Sequence, residues 1–239
     1  MAKTLTAHGD AQLDTAQKQF GSASGLFGNV AADYVDTPAH ADFDFGTENF
    51  TIDFFIRMAS VAYIQDVLAI GQDNPPVNGF LNIAAQAYLD GSFNADKFSL
   101  YLYFGGAWHN MSWDCTLLAN TWYHVAVVRN GNVFTLYING VSKGNNNLEG
   151  SIGASNQPLM FGKGGVTAGA DYYFGGWVDE IRISKGIARW TENFDVPTEA
   201  HTPDQYTKLL VHCDGDDEST TFLDDAYVPP VKDKFFLMF

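Results

Sequence analysis

The 239-residue sequence predicts an all-β fold, an antiparallel two-sheet sandwich, and three observations predict it. From Phe50 to Met58 the alternation is strict. Phe50, Ile52, Phe54, Ile56 and Met58 share one side, with Thr51, Asp53, Phe55 and Arg57 opposite, so this strand has one core face and one mixed face. The stretch from Thr121 to Val141, TWYHVAVVRNGNVFTLYINGV, holds two further runs joined at Asn130-Gly131, which predicts a type I′ hairpin with positive φ at both residues; Asn139-Gly140 closes the return run. Both faces of its first run are largely apolar, so the hairpin needs cover on two sides and a second sheet. Finally, strand-like runs recur at about 8 to 12 residues between Asp, Asn, Gly and Pro punctuation. No window sustains helical periodicity with caps.

Taken in order, Thr4 to Ala7 and Ala11 to Asp14 read as short strands around the turn His8-Gly9-Asp10. Phe20 to Phe27 mixes glycine and serine with aromatic anchors, and Asp33-Tyr34-Val35 follows. DTPAHADFDFGTENF reads as a loop pinned by Phe43, Phe45 and Phe50. Val67 to Gly71, Gly79 to Ala84, Lys97 to Phe104 and His109 to Trp113 are the next strands. GNNNLEGSIG reads as a polar surface loop, Leu159 to Gly162 as a short strand, and Phe174 to Ser184 as the last long strand. Lys185 to Trp190 is the best candidate for a short helix, and Pro197 to Gln205, PTEAHTPDQ, reads as a linker. Lys208 to Cys213, KLLVHC, is a strand again, Asp214 to Asp225 an acidic loop, and VPPVKDKFFLMF an apolar terminus. Five exposed apolar residues ending a chain are a liability, so Phe235, Phe236, Leu237, Met238 and Phe239 are expected to dock on something. The chain therefore divides into a single domain, 1–225, that includes the late strand 208–213, and a docking tail, 226–239.

With 28 acidic against 13 basic residues the formal net charge is −15, a field that repels nucleic acid. No apolar run reaches membrane-spanning length, and MAKTLTAHGDAQ lacks the apolar core of a secretory signal, so assembly inside a cell is expected. Cys115 and Cys213 lack CxxC spacing and read as free, buried thiols. Retaining glycosidases need two carboxylates about 5 Å apart. Here Glu48 and Asp53 are five apart and Asp179 and Glu180 adjacent, so each pair falls on opposite faces of a strand. The six histidines, His8, His40, His109, His124, His201 and His212, show no metal-ligand spacing and read as structural. No G-x-S-x-G, Walker or Rossmann pattern is present, and Gly162-Lys163-Gly164-Gly165 reads as a turn. No catalysis and no cofactor are expected. Trp108, Trp113 and the Asn145 to Asn147 stretch could bind sugar, although tryptophans more often fill cores.

Four segments, HGDAQLDTAQKQFGSASGLF, DYVDTPAHADFDFGTENFTIDFFIRM, WYHVAVVRNGNVFTLYINGV and GGWVDEIRISKGIARWTENFDVPTEA, together resemble the laminin G-like, concanavalin A-like jelly-roll family, above all its branch in bacteriophage structural proteins. The resemblance spans most of Thr4 to Ala200. That branch opens with a strand of the type LLLHFDG, which here stands near the other end as Leu209 to Gly215, LLVHCDG, so the chain resembles a circular permutant. The late strand then completes its own domain, is donated to a neighbour, or is a vestigial repeat. The resemblance implies a non-enzymatic virion accessory protein, a capsid decoration or tail-associated protein, made in the host cytoplasm and placed on the virion surface. Its partners would be other virion proteins and copies of itself, through Leu209, Leu210, Val211 and the terminal Phe235 to Phe239. A lectin recognising glycans is the alternative. Many relatives hold calcium at a rim, and Asp33 and Asp179 are the candidate ligands here.

Overall fold

The computed structural model describes residues 2–30, 32–71, 76–86, 88–89, 92–93, 96–154, 156–164 and 172–226. In chain order the strands are β1 (Thr6–His8), β2 (Gln12–Asp14), β3 (Ser24–Gly28), β4 (Tyr34–Thr37), β5 (Phe50–Met58), β6 (Gln65–Ile70), β7 (Phe80–Ala85), β8 (Tyr88–Leu89) and β9 (Ser92–Phe93). They continue with β10 (Lys97–Phe104), β11 (Ala107–Asp114), β12 (Trp122–Asn130), β13 (Val133–Ile138), β14 (Val141–Asn147), β15 (Leu159–Phe161), β16 (Gly175–Lys185) and β17 (Thr207–Val211). The first sheet runs β1-β4-β15-β6-β7-β10-β11 and the second β14-β13-β12-β5-β16-β3-β2, with β17 also on β16. Every described ladder is antiparallel, and a 3₁₀ turn at Ala41–Phe43 is the only helical segment among the described residues. This is the predicted two-sheet sandwich.

The core lies between the sheets and takes the face that alternation selects. Phe50, Ile52, Phe54, Ile56 and Met58 of β5 join Val125 and Val127 of β12 and, from the facing sheet, Phe98, Leu100 and Leu102 of β10. Phe43 and Phe45 are buried, which pins the loop as its aromatics suggest. Cys115 and Cys213 are free and buried, and burial pushes the Cys115 thiol up to about 11.

Several local expectations need correction. The type I′ turn sits at Asn139-Gly140, where φ is +48 and +73; at the first turn only Gly131 is positive, because Asn130 pairs with Val133 as the last strand residue. The run Gly144 to Asn147 is not loop but the end of β14, an edge strand that this second turn folds back onto β13. Lys185 to Trp190 forms no helix: Lys185 ends β16, and Gly186 turns the chain at φ +87. Residues 186–205 instead form a strap across the outer face of the second sheet, so the predicted linker is a packed segment. Prolines deny it a ladder, but they do not deny it contacts. Ala188, Trp190 and Phe194 of the strap lie on Ala126, Val128 and Tyr137, which supplies the second cover β12 needs.

β16 is paired with β5 along one side, and along its other side β3 and β17 lie end to end. Between them β16 bulges at Asp179-Glu180, with Glu180 at φ +51. Leu209, Leu210 and Val211, expected at an interface, are buried within this fold, Leu209 and Val211 in the main core. Their apolar surface is spent inside the chain and is not available to a neighbour. The outer edge of β17 is met by the two ends of the described part of the chain: Asp225 N donates to Leu210 O, and the Lys3 ammonium to Lys208 O. The tail expected to dock, Phe235 to Phe239, lies outside the described residues.

Candidate functional site

Two polar constellations lie on the outer faces of the sandwich. Under the strap, cross-strand register sets Asp53 of β5 between Ala126 of β12 and Arg182 of β16, one row from His124. Arg182 donates through Nε and Nη2 to the two Asp53 oxygens at 3.0 and 2.9 Å. His201 of the strap brings Nε2 to 2.9 Å from Asp53 Oδ2, and His124 Nε2 stands at 3.6 Å. Burial pushes the Asp53 carboxyl up, but Arg182 and the two imidazoles outweigh it and hold the group well below the usual carboxylate range. Glu180 ties two segments, accepting the His201 backbone N–H at 2.7 Å and meeting His212 Nδ1 at 2.8 Å.

Asp53, His124 and His201 are the described residues that could hold a metal, with ligand atoms within 4.8 Å of one another. A tetrahedral zinc site has donor atoms about 3.4 Å apart and a carboxylate free to coordinate. Here both carboxylate oxygens already accept from a guanidinium, and a second cation would sit against Arg182. All three residues are buried, and the edges of Phe55, Trp190 and Phe194 enclose the His124 ring. The cluster is an anchor for the strap. Sequence spacing could not reveal it, because its members come from three distant segments.

The calcium candidates do not fit a cation. Asp33 accepts the N–H groups of Asp10 and Gly28, and Asp179 those of Gln19, Phe20 and Glu180, so peptide dipoles point their positive ends at both carboxylates. The two share no partner among these bonds. Burial pushes the Asp179 carboxyl up to about 7 although three N–H groups oppose it. Glu48 meets Lys185 at the surface while Asp53 is buried, so the carboxylates weighed for glycoside hydrolysis do not converge.

The second constellation is on the outer face of the first sheet, where β7, β10 and β11 place three rows of side chains. Register aligns Phe80, Tyr103 and Trp108 in one row, Asn82, Tyr101 and Asn110 in the next, and Ala84, Ser99 and Ser112 in the third. The alternation in KFSLYLYF creates this, sending Phe98, Leu100 and Leu102 inward and Ser99, Tyr101 and Tyr103 outward. β10 and β11 join through Gly105-Gly106, both at positive φ, the geometry a two-residue type I′ turn requires. Trp108 is 43% exposed, and edge contacts with Phe80 at 5.5 Å and Tyr103 at 5.3 Å fix its ring. Asn82 and Ser99 are buried, and Asn82 Nδ2 donates to Asp66 at 2.8 Å. Asn82 Oδ1 and Ser99 Oγ have no hydrogen-bond partner. The face closes on its β7 side and opens on its β11 side.

Of the residues singled out for sugar binding, Trp108 alone lies here. Trp113 fills the core and donates Nε1–H to Gly144 O, and Asn145 of β14 accepts from Thr135. Asn82, Tyr101, Tyr103 and Asn110 escaped notice in the sequence. Alternation could have grouped Tyr101 with Tyr103, but not either with Asn82.

No curated protein matches the chain in sequence. Among solved structures it is similar to domain 4 of AbnA, a GH43 extracellular arabinanase from Geobacillus stearothermophilus, in complex with arabinotriose, at 15% identity and TM-score 0.58, covering 78% of this chain and 83% of that one. It is similar to the binding domain of botulinum neurotoxin serotype G at 11% identity and TM-score 0.56, covering 81% of this chain and 44% of that one. It is also similar to the enzymatically active domain of bacteriophage CBA120 tailspike protein 2, at 14% identity and TM-score 0.51, covering 77% of this chain and 29% of that one. The chain thus spans less than half of the neurotoxin domain and of the tailspike's enzymatically active domain. A family model matches residues 27–192, and on that match and the sandwich described above the chain belongs to the concanavalin A-like lectin/glucanases superfamily.

Proposed function

We propose that the protein is a non-catalytic carbohydrate-binding module that uses the outer face of β7, β10 and β11. One observation carries the reading: an exposed tryptophan, held edge-on by Phe80 and Tyr103, ends an aromatic row that lies directly beside an amide and phenol row. A pyranose needs an aromatic surface for its C–H face and amide or hydroxyl groups for its rim; the exposed Trp108 offers the first and the exposed Asn110, next on the same face of β11, the second. Support comes from the arabinotriose complex of the AbnA domain. The described part of this face presents no pair of carboxylates, which favours binding over hydrolysis. The virion accessory role rests on the resembling segments and on a tail outside the described residues, so the sugar-binding face is the reading the geometry favours.

A printed glycan array followed by titration of the best ligand tests this. Trp108→Ala should weaken binding about tenfold or more. Because Trp108 is exposed, the variant should keep its stability to within about 1 kcal/mol. An array silent to the unaltered protein would overturn the reading.

A further inference from the structure

We infer that the open edge of β11 is a docking seam for a second copy of this chain, and that the two copies set their Trp108 faces side by side as one platform. Strand register fixes which way the peptide groups of β11 point. Phe104 and Ala107 close the hairpin, and beyond the other end Cys115 N donates to Asp96 O at 2.8 Å, so odd-numbered residues bond to β10. The even-numbered ones, Trp108, Asn110, Ser112 and Asp114, turn their N–H and C=O groups outward. Among the described residues no hydrogen bond reaches those groups. The other edges of the two main sheets are shielded or short. Leu13 of β2 exchanges bonds with Glu218 and Ser219, β17 meets Asp224 and Asp225, and β1 has three residues. β14 carries Lys143, a register shift against β13 and a bond from Ser142 N to Asn193. β11 runs eight residues in unbroken register with no proline, lysine or bulge, the devices that keep an edge from pairing.

A second copy fits because this edge complements itself. A two-fold axis at Met111 sets Trp108 opposite Asp114 of the second copy and Asn110 opposite its Ser112, which aligns all four outward residues and forms about eight backbone bonds. The Asn110 amide and the Ser112 hydroxyl then meet across the seam, donor to acceptor. Charge selects the same strip. At a net −15 a copy is repelled by its twin unless they meet where neither brings negative charge. From Ala107 to Trp113 there is no Asp, Glu, Lys or Arg, and Asp114 is paired with Lys97 and lies opposite Trp108, not its own equivalent. β14, joined to β11 by the Trp113 bond to Gly144, adds only the cation Lys143. Pairing merges the two seven-stranded sheets, and the face that opens on its β11 side continues onto the second copy. The two Trp108 residues then stand about 20 Å apart along the seam. On the sugar-binding reading above, two such contacts at fixed spacing hold one polysaccharide or coated surface together.

Sedimentation velocity of the full chain over a concentration series should show a dimer. Ser112→Pro removes an outward N–H from each copy without touching the ladder to β10, and Ser112→Lys puts like charges on the seam. Each should raise the dimer dissociation constant about tenfold or more with the circular dichroism of the parent retained, and the lysine variant decides the matter if the proline one does not fold. Register is tested by oxidation. Asn110→Cys mixed with Ser112→Cys should give a disulfide-linked pair, because opposed residues lie about 5.5 Å apart, whereas Asn110→Cys alone should not. A monomer at every concentration, or a dimer that neither Ser112 variant weakens, overturns the seam. On a surface coated with the best array ligand, the parent should dissociate about tenfold or more slowly than Ser112→Lys, and equal rates overturn the joint platform. A dimer that binds no glycan overturns the sugar-binding reading and leaves the seam standing; glycan binding by a monomer does the reverse.

Discussion

Glu180 holds a backbone conformation that costs about 1 kcal/mol or more for a residue with a side chain, and it holds it beneath the strap. The compensation is local: the bulge turns one carboxylate to His201 and His212 and the adjacent one to Gln19 and Phe20. These groups give the fold a directional response to pH. The Asp179 carboxyl, pushed up by burial to about 7, binds its proton more tightly folded than unfolded, so stability falls as pH rises from about 4 to about 7. His212, raised by the hydrogen bond it donates to Glu180, adds stability in full below about 6.5 and loses it as pH climbs through its folded value. Burial pushes Asp204 up, but Arg189 and Thr207 hold it at about 2, so its contribution is present above about 4 and lost as pH falls toward 2. Calorimetric melting across pH should therefore peak in the mildly acidic range, and Asp179→Asn should flatten the decline toward neutrality. A melting temperature level from pH 5 to 8 in the unaltered protein would contradict this assignment. None of these pairings was legible beforehand: the Arg182 guanidinium, two residues from Glu180 in sequence, crosses to the next strand and Asp53.

At the scale of elements, period-two alternation and turn chemistry were enough to find most strands. β5 and β10 begin and end where the alternation does. β14 was missed because VSKGNNN has no apolar alternation, and its strand conformation comes from the hairpin turn and from pairing with β13. The strap was missed for the complementary reason, since its order comes wholly from partners. Gly140 is one of them: a Cβ there would meet Phe194 O at 1.9 Å, and Phe194 N donates to Gly140 O at 2.9 Å. Gly140→Ala should consequently cost about 2 kcal/mol or more, combining the φ of +73 with displacement of the strap. Hydrogen exchange should speed up first at residues 186–205. An unchanged denaturation midpoint would show that the strap does not rest on this contact.

Considered whole, the sandwich closes on itself through the two ends of the described chain. Lys3 N donates to Asp224 Oδ2 at 2.8 Å, and the Lys3 ammonium also reaches Asp42 at 2.8 Å. The displaced LLVHCDG motif pointed to this arrangement, because a strand can move from one end of a gene to the other only where the ends lie together. A permutant opened between the exposed Thr198 and Glu199, with a short glycine-serine linker from Ala226 to Ala2, should fold and melt within a few degrees of the parent. A permutant that stays unfolded would show that chain order, and not only adjacency, matters.

The end-to-end seating of β3 and β17 against β16 also sets when the domain can be finished during synthesis. β3 leaves the ribosome before β16 and β17 after it, so until Thr207–Val211 emerges the far half of β16 offers bare peptide groups over an uncovered patch of core. Closure of the sandwich thereby waits for β17, and a chain stalled or cleaved before that point keeps a sticky edge for chaperones, or for another nascent chain, to seize.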